Sequence, residues 1–332
     1  MQCRSPARRR PRPPDRSWRS PVSSPFVRRN RLATELRALR EQRGMTAEDL
    51  SRQIFRSRVT ISKLENARCR PQLPDVLKIL DALGVDDGEW RRILDIARDA
   101  AERGWWDGYG DAMGARQRLL ADIESGADNI CEYNQNLLPG LLQSPEYMRA
   151  LIKLEETEGS KLNYVPEQSI KARLRRQEAA LRVGGPHCEI IIDELVLRWL
   201  VVPPSIMAAQ IRHMVEVITH QPRFTILVLP IDAHLPPGRP PASAHMLFTF
   251  PDPDDPPIVI AETSTHLVHT DREEVEWYVR LHARLRQAAL PSLESLSLMA
   301  DTADRLTEQA GPNVKQQYSS WRKSSHSERF SV

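Results

Sequence analysis

From Leu32 the chain sets apolar residues three or four apart. Leu32, Leu36 and Leu39 alternate with Arg37, Arg40, Glu41 and Arg43, and Gly44 ends the run, the spacing of a helix with one buried face. Thr46 is placed to cap a second helix, with Asp49 three residues on and Leu50 and Ile54 as its buried side. Ser57 opens a third, carrying Ile61 and Leu64 on one side, and Arg70-Pro71 closes that region. Pro74, Val76, Leu77, Leu80 and Leu83 predict a fourth helix ahead of Gly84, and Trp90, Ile93, Leu94 and Ala97 a fifth. Five short helices over residues 31–100 predict an all-α domain. Only Phe55 and Arg56 separate the second helix from the third, which forces a sharp helix-turn-helix.

Beyond Gly104 the pattern becomes mixed. Residues 101–311 read as a larger α/β domain whose front, through Leu181, is mostly helical, punctuated by Pro139-Gly140 and Ser144-Pro145. Cys188 to Leu197 combines a strand-like run, Ile190 to Ile192, with a helix start, and Ile206 to Ile218 has helical spacing. Phe224 to Leu229, Met246 to Phe250 and Ile258 to Ile260 predict strands, the last two joined by the polar turn Pro251 to Pro257. A long helix follows Asp271, with Trp277, Leu281, Leu285 and Ala288 on one face, which serves either as core or as a dimer contact.

Charge divides the 332-residue chain. Residues 1–100 carry a net +10, residues 101–311 a net −10 and the last 21 residues +3. A basic front beside an acidic body suits a module that meets a polyanion, attached to one that does not. Residues 1–30 alone supply +8, with nine Arg and six Pro, and read as a disordered extension; residues 31–83 remain at +4 without it. The Val22-Ser-Ser-Pro25 segment is also a candidate translation start, beside Met1. Residues 312–332 read as a flexible basic tail. Cys3, Cys69, Cys131 and Cys188 form no CxxC and no zinc-ligand spacing, and no secretory or membrane-spanning apolar run is present. The expectation is a cytoplasmic protein, nucleoid-associated when bound to DNA.

The third helix holds the candidate chemistry. Leu36, Leu50, Ile54, Ile61 and Leu64 are expected to pin it against its neighbours, leaving Ser57, Arg58, Val59, Ser62 and Lys63 at or near the free face. Arg58 has the planar fork that matches guanine O6 and N7; Ser57 and Ser62 can donate to a base or a phosphate; Val59 can meet a thymine methyl. Lys63 suits a phosphate, and Arg68 and Arg70 are placed to clamp the backbone. Thr60 can pack inward, and Glu65 suits an ion pair within the domain, to Arg37 or Arg40. The competing reading of each polar residue is an ordinary solvated helix face.

The run Leu50-Ser-Arg-Gln-Ile-Phe-Arg-Ser57, followed by Arg-Val-Thr60-Ile61-Ser62-Lys63-Leu64-Glu65, resembles the phage-repressor (Cro/C1-type, XRE) class of helix-turn-helix domains across about residues 32–83. The resemblance implies a recognition helix opened by Ser57 to Lys63 and supported by Thr60 and Ile61, with Glu65 as the structural acid. Two positions depart from the pattern. Phe55 replaces the usual turn glycine, and Ser51 the usual alanine. Because phenylalanine resists a left-handed backbone, a wider turn is expected.

Residues 101–311 contain no GxSxG, GxGxxG or HExxH motif, so no catalytic residue, cofactor or metal is expected. His266 and His269 near Glu262 form only a weak metal candidate, without a clear fourth ligand. Trp105 and Trp106 are expected to seal a contact between the domains. Gly104-Trp-Trp106, Leu137-Leu-Pro-Gly-Leu-Leu-Gln143, Arg176-Gln177, the strand ending at Pro230 and Phe250-Pro-Asp-Pro-Asp-Asp-Pro256 resemble the uncharacterised effector-like domain found behind such modules in actinomycete bacteria. That resemblance implies a regulator, antitoxin-like in some members and paired with a small companion protein. The ratio of 40 Arg to 7 Lys agrees with a GC-rich source. Trp321-Arg-Lys-Ser-Ser-His-Ser327 resembles the opening of that companion family.

The expected partners are therefore double-stranded DNA with paired half-sites, a second copy of the chain and a small companion protein. An enzyme with an appended DNA-binding domain, and a scaffold with a degenerate helix-turn-helix, remain the alternatives.

Overall fold

Ser24 opens the first helix earlier than the leucine spacing suggests. Its hydroxyl accepts from the Val27 amide and Pro25 takes the first helical turn, so α1 spans Pro25–Gln42. The computed structural model describes residues 23–157, 162, 164–262 and 267–310. Residues 23–30, expected to belong to a disordered extension, are thus ordered; the rest of that extension and the tail with Trp321 to Ser327 lie outside the described residues. The missed signal is tertiary. Val27 is fully buried in the core of the second domain, whereas Leu32, Leu36 and Leu39 belong to the first.

Helices α2 (Ala47–Gln53), α3 (Arg58–Glu65), α4 (Leu73–Ala82) and α5 (Asp87–Ala101) complete the five-helix unit. Gly44, at φ +66°, turns the chain out of α1. Thr46 and Asp49 cap α2 reciprocally, each side chain accepting from the other residue's amide. Leu50, Ile61, Val76, Ile79, Leu80 and Ile93 are at most 1% exposed at the centre, each contributing about 1.5–3 kcal/mol by burial.

The second domain opens with a 3-10 segment, Trp105–Met113, and α6 (Ala115–Gly126). A six-stranded sheet follows: β1 (Asn129–Asn134), β2 (His187–Asp193), β3 (Phe224–Leu229), β4 (Ala244–Thr249), β5 (Ile258–Glu262) and β6 (Leu267–His269). Their spatial order is β3-β2-β1-β4-β5-β6. The first three strands run parallel, with Ile130 opposite Cys188 and Ile190 opposite Ile226; β4, β5 and β6 continue antiparallel. Parallel strands need crossovers, supplied by α7 (Pro145–Thr157) and α8 (Pro166–Leu181), then by α9 (Glu194–Arg198) and α10 (Pro204–His220).

Alternate strand residues face opposite layers. Ile190, Ile192, Ile226, Val228, Phe248 and Ile260 pack with residues of α6, α10 and α12 (Ser292–Ala310), while Ile191, Leu227, Leu247 and Val259 pack on α11 (Arg272–Ala288). The result is a three-layer α/β/α domain. Among the described residues, no helix is long and apolar enough to cross a membrane.

Three elements depart from the sequence reading. β1 interrupts a stretch expected to be mostly helical, because its inward positions include Glu132, which hides the apolar alternation. β6 is a short strand that the apolar pattern does not predict. Helix α12 was not anticipated: its buried line is Ser295, Met299, Thr302, Ala303, Leu306 and Ala310, largely small or polar. Ser295 ties it to the sheet, accepting from the Val228 amide at 2.9 Å and donating to the Leu290 carbonyl at 3.1 Å.

Candidate nucleic-acid interface

Ser57 starts α3 by accepting the Thr60 amide at 3.2 Å, and the two side-chain oxygens share a hydrogen bond at 2.9 Å. Its hydroxyl is thereby committed to the cap, and Thr60 is half-buried beside it. Ile61 and Leu64 point into the core with Leu36, Leu50 and Ile54. The opposite side carries Arg58, Val59, Ser62 and Lys63, all exposed, with Arg68 exposed just beyond the helix. Cationic and hydroxyl groups thus cover the face that docking in a major groove requires.

The orientation of α3 is fixed by ion pairs as well as apolar contact. Glu65, only 6% exposed, takes Arg40 through both oxygens, Nε to Oε1 at 2.7 Å and Nη2 to Oε2 at 2.9 Å. Arg37 donates to the Glu65 carbonyl and, at 2.9 Å, to Asn66 Oδ1. Both expected partners of Glu65 are therefore used, one on its carboxylate and one on its backbone. Arg56, in the turn, pairs with Asp75 at 2.7 Å.

The turn itself corrects an expectation. Phe55 adopts φ +54° with its ring 89% exposed, and the turn stays tight: Phe55 N donates to the Arg52 carbonyl at 3.2 Å and Arg56 N to the Ser51 carbonyl at 2.9 Å. The tertiary fit of α2 and α3 outweighs the local steric cost. Ser51 is buried without penalty, because its hydroxyl donates to the Glu48 carbonyl at 2.8 Å.

Arg70 is placed differently from the other cations. Half-buried, it pairs with Asp107 at 3.0 Å, across the junction with the 3-10 segment. Trp106 packs against Met113, Ala121 and Ala172, and Trp105 lies edge-on to Tyr109 beneath Arg175. The tryptophans thus pack mainly on second-domain elements.

The principal contact between the domains lies elsewhere and was not read from the sequence. Asp122 on α6 accepts from Ser24 Oγ and the Phe26 amide, both at 2.8 Å, and from Arg29 at 3.2 Å. Arg31 reaches Asp252 at 2.9 Å, Asp254 at 2.9 Å and Asp255 at 3.1 Å on the β4–β5 turn, where Arg28 also pairs with Asp252 and Asp255. Gly126 ends α6 so close to Ser24 that a Cβ there would lie 2.2 Å from the Ser24 amide nitrogen. The Pro-Asp-Pro-Asp-Asp motif was visible in the sequence, but its arginine partners, more than 200 residues away, were not.

Other candidates separate. His269 stacks near Tyr278, Glu262 pairs with Arg116, and His266 lies outside the described residues. Among the described residues no cluster of three or more metal-ligating side chains forms.

Comparison with known proteins divides the chain in the same way. A family model described as a helix-turn-helix domain matches residues 31–93, and one described as a domain of unknown function (DUF5753) matches residues 117–301. No curated protein and no solved structure matches.

Proposed function

The chain belongs to the family of that domain of unknown function, joined to a helix-turn-helix, and from this premise we propose a sequence-specific regulator of transcription that reads the major groove of double-stranded DNA with α3. The observation that carries the reading is the division of that helix. Ile61, Leu64 and Glu65 are locked inward while Arg58, Val59, Ser62 and Lys63 are exposed together. Arg58, in the first turn, reads a base edge; Lys63 and Arg68 neutralise phosphates and set orientation. Ser57 contributes by fixing the helix start, and Arg70 by holding the domain junction.

The second domain governs oligomerisation or senses a small molecule or companion protein, antitoxin-like in its logic. Two copies on paired half-sites, about 34 Å apart along DNA, suit a recognition helix this short. Capture of genomic DNA with the full chain, against Arg58→Ala and Lys63→Ala, tests the reading. A defined motif enriched by the native chain, blurred by Arg58→Ala and merely weakened by Lys63→Ala, is expected. Recovery of unrelated fragments by all three proteins would remove sequence-specific recognition.

A further inference from the structure

A cavity of about 290 Å³ opens beside the carboxyl ends of β1 and β5, between α6, α7 and α8. It sits where the sheet changes from parallel to antiparallel pairing, at β1 between β2 and β4. Crevices at the carboxyl ends of strands are the favoured ligand sites of open α/β sheets. One part of the wall is aliphatic, with Leu120, Leu137, Leu141, Leu151, Leu154 and Met246, and the rest is polar or charged.

The polar groups at its base are unevenly satisfied. Arg176 is committed, gripping both oxygens of Glu124 and also bonding Gln117. Arg116 pairs with Glu262, and Arg173 donates to Gln143 at 3.2 Å, yet the Nε of each is buried without a hydrogen-bond partner. Glu132, 4% exposed, receives Asn134 on Oε1 at 2.8 Å and leaves Oε2 unpartnered. Burial first, then repulsion from Arg176 and Arg173, brings Arg116 down to about 10; burial likewise lowers Arg173. Burial pushes the Glu132 carboxyl up to about 7, against the hydrogen bond from Asn134. Both Arg116 and Arg173 are half-buried, and a hydrogen bond left unmade at a shielded Nε is costly.

We propose that this cavity binds a small amphipathic monocarboxylate, its acid group on Arg116 and Arg173 and its aliphatic body against the leucine wall. A carboxylate supplies the paired acceptors that a guanidinium edge takes. Charge sets the valence. A single carboxylate is the most the charge balance accommodates: Arg116, Arg173 and Arg176 face Glu124 and Glu262, Glu155 at the exposed rim accepts from Tyr164, and Glu132, raised to about 7, is mostly in its acid form only below that pH. When protonated, Glu132 can donate from Oε2, the oxygen left without a partner. The volume lies at the small end for ligand pockets, about 300–1,000 Å³, and suits a short chain rather than a nucleotide.

The inference deepens the sensing part of the proposed function, and its test uses no DNA, so either reading can fail alone. Calorimetric titration of the full chain with sodium butanoate, hexanoate, octanoate and decanoate, beside hexanamide and octanamide, is the experiment. Saturable binding by hexanoate or octanoate, at least tenfold tighter than by the matching amide, is expected. Arg173→Gln should weaken it at least tenfold. Leu154→Trp, which fills the cavity without changing charge, should do the same and serves if the arginine variant does not fold. Equal affinity for amide and acid, unchanged binding in both folded variants, or no saturable binding by any of the four acids would overturn the assignment.

Discussion

Arginines are used in opposite ways in the two domains. On α3, Arg58 stands in solvent beside Lys63, on a helix whose inner face is fixed by Ile61, Leu64 and the Arg40–Glu65 pair. In the second domain, Arg116, Arg173 and Arg176 are drawn among leucines and carboxylates at the base of a cavity. Solvated cations are suited to a large polyanion, because phosphate contacts exchange with counterions and need little desolvation. Half-buried cations inside a cavity, such as Arg116 and Arg173, suit a single small anion, which must replace water and match the fork. Helix α1 joins these worlds, with Val27 in one core and Leu36 in the other, while its arginines bind the acidic turn after β4. Helix α6 also faces both ways, since Arg116 and Gln117 line the cavity and Asp122 holds α1.

The contrast is sharpest where removing a cation should cost stability rather than DNA affinity. Replacing both Arg28 and Arg31 by Ala leaves Asp255, only 6% exposed, without an arginine partner, and should cost about 3–5 kcal/mol. Calorimetry should show one melting transition for the native chain and two for the variant as the domains uncouple; the same melt for both would mean that these pairs do not hold the domains together.

A second effect, up to about 3 kcal/mol, belongs to Glu132. Its carboxyl is raised from 4.5 to about 7 in the folded chain, so the folded state binds more protons between those values. The stability it lends is full below the unfolded value and lost as pH rises through about 7. Glu132→Gln should flatten that part of a denaturant-stability profile measured from pH 4.5 to 8, and a profile as steep as the native one would remove Glu132 as its source.

On the exposed side, Arg58→Ala should leave the melting temperature intact and cost about 1–3 kcal/mol on the preferred site, with relaxed base preference. Lys63→Ala should weaken all duplexes alike and lower the salt slope by about one. Gel-shift titrations across salt concentrations decide between these roles; uniform loss for Arg58→Ala would make it another phosphate contact. The smallest expected effect is a gain. Phe55→Gly relieves the left-handed backbone with little buried area at stake and should stabilise the first domain by about 1 kcal/mol. Chemical denaturation would show no gain if the exposed ring makes up for its own strain.

Much of the first domain could be read along the chain because its determinants are local. The caps at Thr46 and Ser57, the stop at Gly44 and the three-to-four spacing of Leu36, Leu50, Ile61 and Leu64 each act within a few residues. Strand β3 and helix α11 were legible for the same reason. The amino-acid order thus determined the five helices, the two-residue turn and the polar face of α3.

Tertiary structure alone decided the rest. Phe55 takes a backbone conformation its side chain disfavours because packing of α2 on α3 outweighs the local preference. Arg70 turns to Asp107, Arg31 to three aspartates over 220 residues away, and Glu132 occupies an inward strand position that pattern assigns to an apolar residue. A charged side chain carries no local mark of whether it will meet solvent, a carboxylate or a cavity; its partner is chosen only when distant segments are brought together and water is excluded.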